Sequence, residues 1–441
     1  MDATGYFRGK KITLMRLGLL GRGVQDAAYL AKCGAEVLVV DDAPQEVMQP
    51  SVDALKQFPN ITYKFGPYDL DDFRHCDMVV KGAGAALHAP EIAEAKKHGI
   101  PVRMSADLFA DFAGIPIVGI TGTRGKSSVT HFVHAILEAA GKKVLLGGNV
   151  RGVSTLALLE EATPDHVAVL ELDSWQLQGF GEARLSPHIA VFTTLYPDHQ
   201  NYYKESPEQY LADKANIFLY QGSQDTLVLG RQCAPIIIEK YGDTIDSKTL
   251  VVDELKLPDT WTLKIPGVHN RYNAALAFAA ARALGVDDAI SRKAITSFVG
   301  VPGRLELVRE VGGIKIYNDT TATTPEATLV ALRALDTGAK NIVLIMGGAD
   351  KDLDMNALLY EIPNHVKRTI LLTGTGTNRI LEFLPDASVF DTLKNAVVEA
   401  FASATDGDII LFSPAFASFG MFKNEYDRGD QFNALVQSLS R

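Results

Sequence analysis

The chain has 441 residues, of which 47% are hydrophobic and 22% are charged, and its formal net charge is −10 at pH 7. The length corresponds to about three domains of ordinary size, and the apolar share is sufficient for packed cores, which excludes a globally disordered chain. With 53 acidic and 43 basic side chains, the composition argues against a nucleic-acid-binding protein.

The three cysteines, Cys33, Cys76 and Cys233, are scattered and lack a C-x-x-C spacing. They define neither a zinc site nor a disulfide framework, so a reducing compartment fits best. The N-terminus lacks the pattern of a signal peptide, and no apolar run approaches the ~18–20 residues of a membrane helix. The sequence therefore predicts a cytoplasmic protein with no membrane partner.

Short β-branched runs alternate with Ala- and Leu-rich helical stretches almost throughout, a pattern typical of parallel sheets with crossover helices. The pattern starts three times, at Lys11, after Gly114 and after Gly303. We expect an α/β protein with three domains, each built on a largely parallel sheet with flanking helices. The N-terminal and C-terminal domains are expected to be Rossmann-like and the central one P-loop ATPase-like. The predicted domains are 1–108, 109–301 and 302–441.

A glycine-rich turn, residues 18–23, follows the first predicted strand. It departs from the dinucleotide fingerprint because Asp26 stands where the third glycine belongs. The acidic pair Asp41 and Asp42 lies about 20 residues further on, where a ribose-binding carboxylate is expected. The pattern favours a nucleotide-like group over NAD, and a turn without a ligand explains it nearly as well.

The sharpest local motif is the run Gly-Ile-Thr-Gly-Thr-Arg-Gly-Lys-Ser-Ser at residues 119–128, between a predicted strand and a predicted helix. In such a turn, backbone N–H groups and the helix N-terminus bind phosphates, the lysine reaches the β- and γ-phosphates, and the hydroxyl after it binds Mg²⁺. The strict P-loop pattern needs a glycine where Ile120 stands. The predicted ATP-binding residues here are Gly122, Thr123, Gly125, Lys126, Ser127 and Ser128.

Acidic residues follow two later strands, and either could hold Mg²⁺ near a phosphate loop. Glu171 and Asp173 end one strand, and spacing alone does not choose between them. Asp198 and His199 follow the next strand, and a histidine in this position is more often a packing or surface residue. Asn270 and Asn273 are explained equally well as helix caps or as contacts to a nucleotide.

Taken together, these segments resemble the Mur ligases, the ATP-dependent amide ligases of peptidoglycan precursor synthesis. Within that family the pattern is most similar to members that add D-glutamate to UDP-N-acetylmuramoyl-L-alanine. The motifs occur in order over nearly the whole chain: Thr-Gly-Thr-Arg-Gly-Lys-Ser at 121–127, Glu-Leu-Asp-Ser-Trp-Gln-Leu at 171–177, Asp198-His199, Lys214, Gly-Val-His-Asn-Arg-Tyr-Asn at 267–273, Gly303-Arg-Leu-Glu306, Asn318-Asp319 and Ser-Pro-Ala-Phe-Ala-Ser at 413–418. The family's phosphate loop also has no glycine at the position of Ile120.

The resemblance implies that the first domain holds the UDP end of the substrate, the central domain binds ATP, and the C-terminal domain closes onto it. ATP would phosphorylate the substrate carboxylate to an acyl phosphate, which the amino group of glutamate attacks to give an amide, ADP and phosphate. The resemblance further implies a monomer with no nucleic-acid partner.

Residue by residue, the resemblance implies that Lys126 stabilises the transferring phosphate and that Ser127 and Glu171, rather than Asp173, bind Mg²⁺. His199 would join a second metal site, and Lys214 matches a lysine that the family carbamylates, whose carbamate can hold a cation. The other implied positions are Asn270, Asn273, Arg304 and Asp319 around ATP, Gly21, Arg22, Gly23, Asp41 and Asn149 around the UDP-linked substrate, and Thr323, Lys351, Ser418 and Phe419 around the amino acid.

Four departures from the family pattern concern the substrates and leave the ATP machinery intact. Thr321 replaces a lysine, Asp173 replaces a serine, Glu425 replaces an aromatic residue, and Gly-Ala-Gly at 82–84 replaces Ser-Pro-Gly. D-glutamate is the first choice, and L-glutamate or another amino acid stays open. A folate-polyglutamate-type ligase and a nucleotide-binding regulatory protein without ligase activity are the alternatives, which an acceptor-dependent phosphate-release assay separates.

Overall fold

Three largely parallel sheets form the framework of the protein in a computed structural model that describes residues 2–19, 21–198, 200–203 and 206–439. The chain divides into two units, Met1–Asp259 with Tyr272–Ile295 and Thr260–Arg271 with Thr296–Arg441. The first unit contains two sheets and the second contains one. This architecture confirms the predicted α/β class; the domain boundaries stay a prediction.

The first sheet has five parallel strands in the order β3-β2-β1-β4-β5. Its strands are β1 (Lys11–Met15), β2 (Glu36–Asp41), β3 (Ile61–Phe65), β4 (Met78–Lys81) and β5 (Val102–Arg103), and its helices are α1 (Ala3–Phe7), α2 (Arg22–Lys32), α3 (Gln45–Leu55), α4 (Pro90–Lys97) and α5 (Ser105–Phe112). The strand order reverses direction at β1, between β2 and β4. In doubly wound sheets, ligands bind outside the carboxyl ends of the strands at such a reversal.

The second sheet has six parallel strands in the order β11-β10-β9-β6-β8-β7. Its strands are β6 (Ile117–Thr121), β7 (Lys143–Gly148), β8 (His166–Glu171), β9 (Ile189–Phe192), β10 (Thr226–Gly230) and β11 (Lys248–Val252), and the helices of this part of the chain are α6 (Lys126–Ala139), α7 (Ser174–Ala183), α8 (Gln200–Tyr203), α9 (Pro207–Ala215), α10 (Ala234–Tyr241), α11 (Val268–Ala283) and α12 (Asp288–Ser297). Strand β6 is buried over its whole length, as expected of a central strand covered by helices on both faces.

The third sheet, in the second unit, has the order β12-β13-β17-β14-β15-β16 and is parallel except for the antiparallel pair β12 and β13. Its strands are β12 (Glu306–Val311), β13 (Ile314–Asn318), β14 (Ile342–Gly347), β15 (Val366–Leu372), β16 (Ser388–Phe390) and β17 (Ile409–Phe412), and its helices are α13 (Pro325–Leu335), α14 (Asn356–His365), α15 (Thr375–Ile380), α16 (Leu393–Ser403) and α17 (Glu425–Gln437). The central strands β14 and β17 are fully buried.

Five short 3₁₀ helices complete the secondary structure of the described residues, at Leu70–Phe73, Leu156–Glu160, Gly242–Thr244, Glu254–Lys256 and Leu381–Phe383. Within those residues, none of the helices combines the length and the apolar character needed to cross a membrane.

Candidate active site

The phosphate loop joins β6 to α6, and its backbone conformation requires glycine. Gly125 precedes α6 with φ +88°, and a Cβ there would lie 2.5 Å from Asn273 Oδ1. The backbone N–H of Thr123 donates to the carbonyl of Thr194 at 2.7 Å, which ties the loop to the segment after β9. Residues 126–128 form the first turn of α6, whose N–H groups have no partner within the helix. The structure thus brings the predicted loop and Asn273 together at one helix N-terminus.

Two lysine side chains converge on the carbonyl oxygen of Gly122. Lys126 Nζ donates to this oxygen at 3.0 Å and to the Thr123 carbonyl at 3.2 Å. Lys214 Nζ donates to the same Gly122 oxygen at 3.0 Å and lies 3.4 Å from Thr121 Oγ1. Lys126 and Lys214, which are 88 positions apart in sequence, therefore face one point of the loop.

Lys214 lies in an environment that disfavours its charged form. Its side chain is 1% exposed, and Nζ lies 4.8 Å from the centre of the Tyr210 ring. Burial, and after it the positive charge of Lys126, lower the pKa of Lys214 well below its usual value, although Asp173, Asp198 and Asp213 oppose the shift. A neutral, buried amine is the form that can react with carbon dioxide, so this environment suits the predicted carbamylation.

The structure separates the roles of the two acids that follow β8. Asp173 is the N-cap of α7: its Oδ1 accepts from the Gln176 N–H at 2.8 Å, and Gln176 Oε1 accepts from the Asp173 N–H at 3.1 Å. Glu171 is 5% exposed at the end of β8, and its carboxylate accepts no hydrogen bond from the described part of the chain. Asp173 therefore caps a helix, and the assignment of Glu171 to a cation stays a prediction.

His199, the remaining implied metal ligand, lies outside the described residues. Among residues 2–19, 21–198, 200–203 and 206–439, no three His, Cys, Asp or Glu side chains gather as a metal site. Of the implied ligands, only Glu171 belongs to those types within that range. The donor set that fits Mg²⁺ here is the Glu171 carboxylate and the buried Ser127 hydroxyl, both oxygen ligands, at the carboxyl edge of the sheet.

A cavity of about 270 Å³ opens in the first unit, at the carboxyl edge of the first sheet. Its walls include residues from the β1–α2 turn, the loop 82–84 and the segments around 105 and 154. Of the five implied substrate residues, Arg22 and Gly23 line it directly. Arg22 Nη1 donates to Asn149 Oδ1 at 3.0 Å, so two residues 127 positions apart meet at this cavity.

Three residues of the implied substrate set, Gly21, Gly23 and Asp41, determine the conformation of the turn after β1. Gly21, with φ +83°, is the N-cap of α2, and Gly23 packs so closely on the Leu17 carbonyl that a Cβ would clash. The Asp41 carboxylate accepts from the Gly18 N–H at 3.3 Å and the Ala43 N–H at 3.0 Å. Through these hydrogen bonds Asp41 stabilises the backbone at Gly18 and Ala43, in addition to any contact that it makes with a ligand.

Two residues that the sequence analysis did not assign to a site, Asp26 and Lys81, line the cavity. Asp26 was noted only for its place in the glycine motif. Asp26 Oδ1 accepts from Ser154 Oγ at 2.5 Å and Ser105 Oγ at 2.7 Å, which joins α2 to two later segments. Burial raises the pKa of Asp26 to about 6, although the two hydroxyls and Arg22 oppose the shift. Lys81 ends β4 and is 2% exposed. No local sequence pattern could identify Asp26 or Lys81, because each is buried only when segments distant in sequence pack against it.

The implied nucleotide residues of the second unit occupy separate local environments. Asn270 Nδ2 donates to the Pro266 carbonyl at 2.7 Å, and the Arg304 side chain is exposed. Asp319 is 7% exposed; its carboxylate accepts from the Leu305 N–H at 3.0 Å and Ser413 Oγ at 2.8 Å. Burial raises the pKa of Asp319 to about 7, although these donors and Arg304 oppose the shift.

Three of the four implied amino-acid residues lie close together in the second unit. Lys351 Nζ donates to Thr323 Oγ1 at 2.9 Å. A bridge between Ala349 and Ala417 places the loop after β14 beside the segment that contains Ser418, which is 5% exposed. The Phe419 side chain is 69% exposed, so it does not form part of a packed wall in this structure.

Two arginines that the motifs did not mark hold the segments of this pocket. Arg379 of α15 donates from Nη1 to both Asp350 carboxylate oxygens at 2.9 Å and from Nη2 to the Leu353 carbonyl. Arg428 of α17, which is 0% exposed, donates to Thr320 Oγ1 at 3.1 Å, the Thr320 carbonyl at 2.7 Å and the Phe416 carbonyl at 3.2 Å. Arg379 thus binds the residues before and after Lys351, and Arg428 joins the segments that precede Thr323 and Ser418.

Known proteins share both sequence and fold with this chain. Three family models match the chain: the Mur ligase MurD-like N-terminal domain over residues 10–104, the Mur ligase middle domain over 120–249, and the Mur ligase glutamate ligase domain over 303–416. The chain is 36% identical to the UDP-N-acetylmuramoylalanine–D-glutamate ligase of Roseiflexus sp. (strain RS-1), over 98% of this chain and 99% of that protein. It is 34% identical to the protein of the same name from Borreliella burgdorferi (strain ZS7), over 97% of each.

A solved structure shows the same fold at low sequence identity. The MurF ligase from Thermotoga maritima in complex with ADP superposes with a TM-score of 0.60 and 16% identity, over 99% of this chain and 97% of that one. The full-length relatives and the three domain matches confirm the resemblance that the motifs carried, and the chain belongs to the Mur ligase family.

Proposed function

We propose that this protein ligates D-glutamate to UDP-N-acetylmuramoyl-L-alanine at the expense of ATP, forming an acyl phosphate and releasing ADP and phosphate. The observation that carries the proposal is the convergence of Lys126 and Lys214 on the Gly122 carbonyl of the phosphate loop, with Glu171 paired to Ile120 on the neighbouring strand. It is supported by full-length relatives that carry the name UDP-N-acetylmuramoylalanine–D-glutamate ligase.

The reaction needs activation because a carboxylate is a poor electrophile, and transfer of the ATP γ-phosphoryl group turns its oxygen into a leaving group. The loop amides at the N-terminus of α6 bind the phosphates, and Lys126 neutralises charge that develops on the transferred group. Attack by the glutamate amine on the acyl carbon forms the C–N bond, and the C–O bond to phosphate then breaks. The protein contributes position and fixed charge rather than a covalent intermediate of its own.

Mg²⁺ would be held by Ser127 and Glu171, and it would supply charge neutralisation between the phosphate oxygens. We assign a second cation to His199 and a carbamylated Lys214. Carbamylation joins the neutral amine of Lys214 to carbon dioxide and releases one proton, which converts a buried cation into an anion. The lowered pKa of Lys214 supports this assignment, because only the unprotonated amine carries the lone pair that attacks.

We assign the cavity beside Arg22 and Asn149 to the UDP-linked substrate, and Asn270, Arg304 and Asp319 to ATP. Thr323, Lys351 and Ser418 are assigned to the incoming amino acid, where the Lys351 ammonium pairs with a glutamate carboxylate. We expect residues 1–108 to bind the UDP-linked substrate, residues 109–301 to bind ATP and residues 302–441 to bind the amino acid. We also expect the protein to act as a monomer.

The test is release of inorganic phosphate by the purified protein with ATP, Mg²⁺, UDP-N-acetylmuramoyl-L-alanine and a panel of amino acids. Phosphate release that requires both the acceptor and D-glutamate supports the proposal. Turnover with L-glutamate or another amino acid would correct the amino acid while keeping the ligase. Absence of turnover with every amino acid would reject ligation to this acceptor, and nucleotide binding without turnover on a folate acceptor either would favour a regulatory protein.

A further inference from the structure

Lys81 is a buried cation at the substrate cavity with unused hydrogen-bonding capacity. It is the last residue of β4, is 2% exposed and lines the cavity. Its Nζ donates to the Ala85 carbonyl at 3.0 Å, and no carboxylate of the described residues lies within 4.0 Å of it. A protonated amine has three donors, so two remain without a protein acceptor. Burying a cation in this way is costly unless a ligand completes it.

The cavity reaches from Lys81 towards the ATP site. Its walls include Gly148, which pairs with Glu171 across β7 and β8, and Gln176, in the first turn of α7. Gly148 lies at the end of β7 and Gln176 near the start of α7, and Lys81 interacts electrostatically with Asp173, two residues after Glu171. An elongated ligand that fills this space would therefore extend from the β1–α2 turn past Lys81 to the residues around Gly148 and Gln176.

The charges around Lys81 are mixed. Burial lowers the pKa of Lys81 to about 8, and Asp173, Asp107 and Asp213 oppose the shift while Lys96 reinforces it. The other charged residues that line the cavity are Arg16, Arg22 and Asp26. An anion bound next to Nζ would favour the charged form and raise its pKa, so binding above neutral pH would draw a proton from solution.

We propose that Lys81 binds the carboxylate-bearing end of the UDP-linked substrate, the group that ATP phosphorylates, rather than its diphosphate. The inference rests on the proposed function, because it takes that substrate as the occupant of the cavity. It makes Lys81 a substrate-binding residue that holds the reacting carboxylate.

The binding test compares two ligands that share the uridine diphosphate. Lys81→Met removes the charge and keeps the chain length, and Lys97→Met, at an exposed position of α4, is the matched control. We expect Lys81→Met to weaken UDP-N-acetylmuramoyl-L-alanine binding about 10- to 100-fold, as for loss of a charge-assisted hydrogen bond, and to leave UDP binding within about twofold. Retained UDP binding also shows that the variant folds. Equal loss of both ligands, or loss of neither, would overturn the inference.

A second measurement on the wild-type chain avoids any folding problem. Calorimetry at pH 8 in buffers of different ionisation enthalpy counts the protons taken up on binding. With a free-state pKa of about 8, the amine is about half protonated, so we expect uptake of up to about half a proton with the full substrate and none with UDP. Equal uptake with both ligands, or none with either, contradicts the role. Tight substrate binding without any turnover would reject the proposed function while leaving this inference standing.

Discussion

The phosphate loop and the proposed amino-acid site, which we call the pocket, are built in opposite ways. The loop is one continuous segment between β6 and α6, and its groups for a ligand are mostly backbone amides fixed by the helix that follows. The pocket in the second unit is assembled from the segments around Thr323, Lys351 and Ser418, which follow three different strands. Its geometry depends on side chains outside the pocket, above all Arg379 and Arg428.

This contrast teaches where substitution is tolerated. A site made of backbone amides depends on the glycines of the loop and on the helix that follows. Few residues therefore determine its geometry, and each of them is indispensable. A pocket assembled from side chains has several partly redundant supports, so one change shifts affinity and specificity before it abolishes activity. All the amino-acid-side departures, at Thr321 and Glu425, lie in the second unit, whereas the loop matches the family pattern.

Lys126→Ala is expected to have the largest effect. Removing the ammonium that reaches the loop should lower kcat at least about 1,000-fold, because charge on the transferred phosphoryl group then goes unneutralised. The thermal midpoint should change little. Phosphate-release kinetics and thermal unfolding measure the two, with Lys142→Ala, at an exposed position after α6, as control. Activity within tenfold of wild type would show that the loop does not act through this lysine.

Lys214→Arg tests carbamylation, since arginine is of similar length but stays protonated and cannot form a carbamate. We expect a loss in kcat of about 100- to 1,000-fold, and mass spectrometry under bicarbonate should find an added carbon dioxide on the wild type alone. Lys240→Arg, on the exposed end of α10, is the control. An arginine variant that works normally would make Lys214 a simple cation.

Local patterns predicted the loop closely, because strand, turn and helix signals lie next to each other in sequence. The strand predicted before the loop is found at Ile117–Thr121, and the helix predicted after it at Lys126–Ala139. Spacing could not separate Glu171 from Asp173, since the choice depends on which side chain caps α7.

The unforeseen residues share one physical origin. Lys81 and Arg428 are charged residues whose importance comes from burial, and burial is produced by segments far away in sequence. A lone lysine at a strand end, or an arginine in an amphipathic helix, is indistinguishable in the sequence from a solvent-exposed residue. Only the packed structure shows that their donors face backbone carbonyls or a cavity.

Arg379→Gln tests whether a residue outside the pocket positions Lys351 within it. Losing the paired hydrogen bonds to Asp350 should loosen the loop that presents Lys351, so KM for D-glutamate should rise about tenfold while KM for ATP stays within twofold. Steady-state kinetics in both substrates make the measurement. Arg333→Gln removes an exposed ion pair to Glu361 and is the matched control. A parallel rise in both KM values would indicate general destabilisation instead.

Glu425→Gln is expected to have the smallest effect and addresses one of the two departures in the second unit. Glu425 begins α17, where its carbonyl accepts from Thr320 Oγ1 and its charge stabilises the buried Arg428. Neutralising it should remove a negative charge that repels a dicarboxylic amino acid, so KM for D-glutamate should fall about two- to fivefold with kcat nearly unchanged. Because a screened charge is involved, the difference should shrink at high salt, whereas Glu382→Gln should show no change at any salt concentration. An increase in KM would mean that the carboxylate acts instead through Arg428, whose hydrogen bonds to Thr320 and Phe416 weaken when the carboxylate is neutralised. Binding in the pocket would then depend more on the arginines that hold its segments than on the charge of Glu425.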